Sequence, residues 1–160
     1  MPKDFILKIQ EKVIALLRSN EKNTKTPLSL LVKDTCSEVS RLVACWIISA
    51  DPKAETMIAK GKDVLGRRNV CHDVLLVVKD NVVSIIDPTI WQIYPKKKSI
   101  YVGKTHSVDT ALEVLNKKNY KKVFFSFKSG IGKLIYYNFF NRSKLPLISA
   151  SFLAFVQCFS

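Results

Sequence analysis

Two apolar runs joined by a short polar turn constrain this chain more than any other feature. Val70–Val78 and Val82–Asp87 are rich in Val, Ile and Leu, with Lys79-Asp80-Asn81 between them. Runs of this kind around a turn read as an antiparallel hairpin. On the first strand, His72 shares a face with Val74, Leu76 and Val78; on the second, Asp87 shares a face with Ile85 and Val83. If the loop is the two residues Asp80-Asn81, Lys79 pairs with Val82 and Val74 faces Asp87. Asp87 then lies diagonal to His72 on the same face, at about 7–8 Å, within reach of a carboxylate and an imidazole. A three-residue turn shifts the register and weakens that pairing.

The remaining elements are predicted around this hairpin. Phe5, Ile9, Val13, Leu16 and Leu17 mark an amphipathic helix from Lys3 to Arg18. Ser19–Pro27 is a polar loop, and Leu28–Val32 is a short strand or an extended lead-in. A helix follows from Cys36 to Ser49, stopped by Asp51-Pro52. Ala54–Lys60 reads as a short helix, Gly61–Asn69 as a loop, and Ile90–Tyr94 as an extended segment carrying Trp91. Ser99–Val102 is a further short strand, and Ser107 caps a helix over Val108–Asn116 with Ala111, Leu112 and Leu115 inward. Lys121–Phe127 is a strand, Gly130–Gly132 a turn, and Ile131–Phe140 and Leu147–Phe159 are helical. Leu145–Phe159 is strongly apolar but shorter than the about 20 residues that span a bilayer, so a buried element is expected.

No repeat and no linker interrupts the 160 residues, so one domain over residues 1–160 is expected. The charge balance is uneven: 26 Lys and Arg against 13 Asp and Glu leave +13, concentrated between Lys96 and Lys144. Such a surface is drawn to acidic partners: an acidic protein face, an anionic membrane or nucleic acid. No recognisable nucleic-acid-binding motif is present, so no specific nucleic acid is expected. The four cysteines, Cys36, Cys45, Cys71 and Cys158, have no zinc-ligand spacing, and His72 and His106 are the only histidines. Neither metal nor cofactor is expected. Met1-Pro2-Lys3-Asp4 opens no signal peptide, which points to a reducing cytosol or to export without a cleavable signal.

Cys36 stands out among the cysteines. Thr35 as N-cap and Glu38 three residues on form a capping box, and Val39, Leu42, Val43, Trp46 and Ile47 give one buried helix face. Cys36 is then the first helical residue, where the helix dipole and unpaired N–H groups favour a thiolate. An imidazole activates a thiol, and a carboxylate fixes the imidazole's tautomer and supports its charge. The chain supplies both, in the order Cys36, His72, Asp87. Cys71 is expected on the opposite sheet face as core packing. Cys45 and Cys158 read as core, His106 as exposed, and Trp46 and Trp91 as core.

Cys36 opening a helix, His72 in Val-Cys-His-Asp-Val-Leu-Leu-Val and Asp87 in Ile-Ile-Asp-Pro-Thr resemble the papain-like and transglutaminase-like thiol enzymes. The compact intervals are similar to those of bacterial toxin and effector glutamine deamidases, such as the deamidase domain of the Pasteurella dermonecrotic toxin and the Shigella effector deamidase. The likeness spans about Asp34–Gln92, a little over a third of the chain. It implies an α+β, papain-like fold: a central antiparallel sheet with the cysteine helix against it and further helices around. It implies Cys36 as nucleophile, His72 as general base and then acid, and Asp87 as the group orienting it. It also implies a cysteine-dependent hydrolase, a secreted virulence effector acting in the host cytoplasm, with a host protein glutamine as substrate. A cysteine protease or acyltransferase uses the same triad. A non-catalytic basic module binding anionic membrane or nucleic acid is the alternative of another class. The chain departs from papain in one respect, because Leu28–Lys33 holds no oxyanion-hole Gln. The Cys36 backbone N–H and the Gln92 side chain are the candidate donors.

Overall fold

The computed structural model describes residues 1–19, 21, 23, 25–66, 70–116 and the backbone of 124–128. Helix α1 (Lys3–Arg18) leads through a one-turn helix α2 (Leu28–Leu31) into α3 (Cys36–Ala50). Strands β1 (Glu55–Lys62), β2 (His72–Lys79), β3 (Val82–Asp87) and β4 (Tyr101–Thr105) follow, then α4 (Val108–Val114) and β5 (Phe124–Lys128). The sheet is five-stranded, ordered β4-β3-β2-β1-β5, and every pairing is antiparallel. The fold is therefore mixed α+β around an antiparallel sheet, with α3 packed on β2 and β1. No described helix is long and apolar enough to cross a membrane.

The hairpin forms as predicted, with Lys79 opposite Val82 and Leu75 opposite Ile86. Asp80 and Asn81 both take positive φ, 49° and 58°, a pair of values that matches the twist of the flanking strands. Asn tolerates this conformation and Gly adopts it freely. Asn81→Gly is accordingly expected to stabilise the protein by about 0.5 kcal/mol in urea denaturation, and Asn81→Val to destabilise it. Val74, Leu75, Leu76, Ile85 and Ile86 are all fully buried, so both faces of the central strands are covered. That explains why these strands read as unbroken apolar runs.

Three predicted elements are corrected. Ala54–Lys60 is not a helix: Glu55–Lys62 is the strand between β2 and β5. Thr56 and Ile58 point inward and bury, and pairing on both sides overrides the helix preference of Glu, Met, Ala and Lys. Leu28–Val32 is not extended, because Pro27 starts the short helix α2. Ile90–Tyr94 is not extended either: Ile90–Gln92 is a 3-10 turn, closed by Gln92 and Ile93 amides on Thr89 and Ile90 carbonyls. Ser107 does cap α4, accepting the Thr110 N–H at 3.1 Å, and Ala111 and Leu115 are buried. The expectations for Gly130–Gly132, Ile131–Phe140, Leu147–Phe159 and Cys158 fall outside the described residues.

α1 buries Ile9 and Val13 and lays Lys12 Nζ 5.4 Å from the Trp46 ring of α3. Its Gln10 Oε1 accepts the Ile100 N–H at 3.1 Å, tying the helix to the approach to β4.

Candidate active site

Three chain segments converge at the open end of the hairpin, away from its turn. Cys36 begins α3, His72 begins β2 and Asp87 ends β3. Extending the Leu75–Ile86 register by one step sets Val74 opposite Asp87 and His72 on the diagonal. The side chains close that diagonal: His72 Nε2 lies 2.8 Å from Asp87 Oδ2, with both residues wholly buried. The other carboxylate oxygen is held by Thr89, whose backbone N–H donates to Asp87 Oδ1 at 3.0 Å and whose hydroxyl stands at 3.5 Å. The Asp87-Pro88-Thr89 turn thus aims the carboxylate at the imidazole.

Burial alone would pull the His72 pKa down from 6.5. Asp87 reverses that through its charge and hydrogen bond, and hydrogen-bonding and charge contacts with Cys36 add to the rise, to about 10. At neutral pH the ring is an imidazolium. It touches Asp87 through Nε2.

Cys36 is the first residue of α3 and 9% exposed. The predicted capping box does not form. Asp34 takes positive φ (61°), and Thr35 sits at φ −108°, ψ 2°, outside the extended region that an N-cap needs. Thr35 is folded back on α2, and its hydroxyl donates to the Val32 carbonyl at 3.0 Å. The amides of the first turn of α3 therefore have no side-chain cap.

Gln92 lies on the 3-10 turn after Asp87, which packs against α2 just before the cysteine helix. It is half-buried, and its Oε1 is sealed from solvent without a hydrogen-bond partner among the described residues. No hydrogen bond among those residues joins it to Cys36, His72 or Asp87.

The other cysteines stand apart. Cys71 is exposed, not core packing, because it precedes the first rung of the β1–β2 ladder at Gly61–His72. Cys45 is half-buried against the core, and burial pushes its thiol pKa up. His106 is exposed and Trp91 is buried. Among the described residues no cluster of three or more His, Cys, Asp or Glu is placed to hold a metal ion.

Two residues near the site were not singled out by sequence reasoning. Tyr94 is half-buried and close enough to feel Asp87, whose charge adds to burial in raising the phenol's pKa. Ser40, one helical turn after Cys36, is completely buried and donates to the Asp73 carbonyl at 3.2 Å. Its signal was present: a serine among Val39, Val43 and Ala44 on an apolar helix face needs a partner.

The class these features define is an α+β domain with a buried Cys–His–Asp cluster at one end of its hairpin. Comparisons with protein-family models, curated proteins and solved structures find no match to this chain.

Proposed function

We propose that this protein is a cysteine-dependent hydrolase that deamidates a glutamine side chain of a host protein. The observation that carries the reading is the buried His72–Asp87 pair with Cys36 against the same ring. An imidazolium beside a thiol favours the thiolate, the reactive nucleophile. Cys36 Sγ attacks the amide carbon, and the oxyanion formed meets the Cys36 N–H, which no side-chain cap occupies. Gln92 is the second donor in this scheme. His72 gives its proton to the departing nitrogen, the C–N bond breaks, and ammonia leaves a thioester on Cys36. Water then attacks, His72 takes its proton, and glutamate and the free thiol result. A papain-like arrangement, export without a cleavable signal and action in the host cytoplasm belong to the same proposal. They rest on the resemblance of the Cys36, His72 and Asp87 motifs to effector deamidases.

The partner surface follows from charge. Lys96, Lys97 and Lys98 are exposed, and none has a carboxylate partner among the described residues. Their loop is anchored beneath them by Trp91, whose Nε1 donates to the Lys97 carbonyl at 2.8 Å. This platform suits an acidic protein face or an anionic membrane. Much of the Lys96–Lys144 basic region lies outside the described residues.

The test is proteomic. Host-cell extract incubated with the protein should show, at a defined glutamine, the about one-dalton gain of deamidation, absent with Cys36→Ala. A Cys36-dependent new chain terminus would make the enzyme a protease, and a new amide to an amine an acyltransferase. Binding that persists unchanged in Cys36→Ala, with no covalent change in any protein, would favour the basic binding module.

A further inference from the structure

Packing alone leaves one degree of freedom at this site. α3 packs on β2 and buries Val39, Val43 and Ile47, and apolar contact resists separation far more than sliding. Cys36 must nevertheless meet His72 at a fixed height, because a hydrogen bond tolerates only a few tenths of an ångström. Ser40 supplies the directional contact. It lies four residues after Cys36 on the same side of the helix, and its acceptor, Asp73, is the residue next to His72. A helical serine ordinarily turns its hydroxyl back to the carbonyl four residues earlier, here that of Cys36. Ser40 instead crosses to the strand. The Asp73 carboxylate also lies 3.6 Å from Lys60 Nζ on the paired strand β1.

We infer that Ser40 is a positioning residue: its bond to the Asp73 carbonyl sets the height of α3 on β2 and so aligns the Cys36 thiol with His72. The inference rests on the thiol-enzyme reading above. Alanine at position 40 removes the hydroxyl, leaves space for no new contact and is the better helix former, so the fold should persist.

The experiment follows iodoacetamide labelling at Cys36 against pH in the full chain, for wild type, Ser40→Ala and Ser40→Thr. Thermal melting runs alongside. In Ser40→Ala, labelling at pH 6 should fall about tenfold, and the midpoint should rise toward that of a free thiol, near 8.5. Ser40→Thr keeps the hydroxyl and should restore the wild-type profile. If the extra methyl prevents folding, the His72 ring titration in Ser40→Ala decides, read by NMR. Loss of the Cys36 contact should lower its midpoint while the melting temperature stays near wild type. A wild-type pH profile in Ser40→Ala, or an unmoved His72 midpoint, overturns the role of Ser40 and leaves the thiol site standing. A wild-type Cys36 that labels like a free thiol overturns both.

Discussion

Asp87→Asn is expected to cut the iodoacetamide reactivity of Cys36 at pH 6.5 by about a hundredfold or more, while the fold survives. The reason is directional. Thr89 N–H donates to Asp87 Oδ1, so the asparagine must keep its carbonyl oxygen toward Thr89. Its amide NH2 then faces His72 Nε2, 2.8 Å away in the native pair. An NH2 group only donates, so Nε2 must give up its proton to accept, and the ring is left neutral with its one proton on Nδ1. That tautomer offers the thiol a donor where a base is needed. Burial, no longer opposed by a carboxylate, also pulls the ring toward its neutral form. Asp87→Ala removes the partner outright and should cost about 3–5 kcal/mol of stability, the usual penalty for orphaning a buried charge. An Asp87→Asn protein with wild-type reactivity at pH 6.5 would remove Asp87 from the site.

The second large effect is in the pH dependence of stability. His72 titrates near 6.5 when unfolded and at about 10 when folded. A raised folded value means that the native state holds the proton more tightly. The stabilisation from this group is fully present below pH 6.5 and is lost as pH rises through about 10. Because the pair is wholly buried, the loss amounts to a few kcal/mol, on the order of what a shift of this size implies. Urea stability should therefore fall between pH 6.5 and about 10, and His72→Ala should lack that part of the slope. Equal slopes for the two proteins across that window would mean that folded His72 does not hold its proton more tightly than the unfolded chain does.

Much of the site was legible in the sequence, for physical reasons that can be named. Strands buried on both faces must be nearly all apolar, so a single histidine and a terminal aspartate stood out against Val, Leu and Ile. The Asp80-Asn81 turn then set which residues faced each other, because both can adopt positive φ. The start of α3 at Cys36 was legible from its apolar face. Its cap was not, since the left-handed Asp34 turns Thr35 away, and no local pattern signals that. β1 was hidden because Glu, Met, Ala and Lys favour helix, and its second neighbour, β5, is more than 60 residues downstream. The 3-10 turn that places Gln92 beside α2 is likewise a tertiary outcome.

The central claim is that Cys36 is a thiolate held by His72. Its most direct test is the iodoacetamide labelling rate of each cysteine against pH, in wild type and His72→Ala. Exposed Cys71 serves as the reference within the same molecule. Cys36, though nearly buried, should label faster than Cys71 below pH 7 and lose that advantage in His72→Ala. If Cys36 trails Cys71 at every pH, or if His72→Ala leaves its profile unchanged, the buried triad is a structural cluster and the thiol-enzyme reading is wrong.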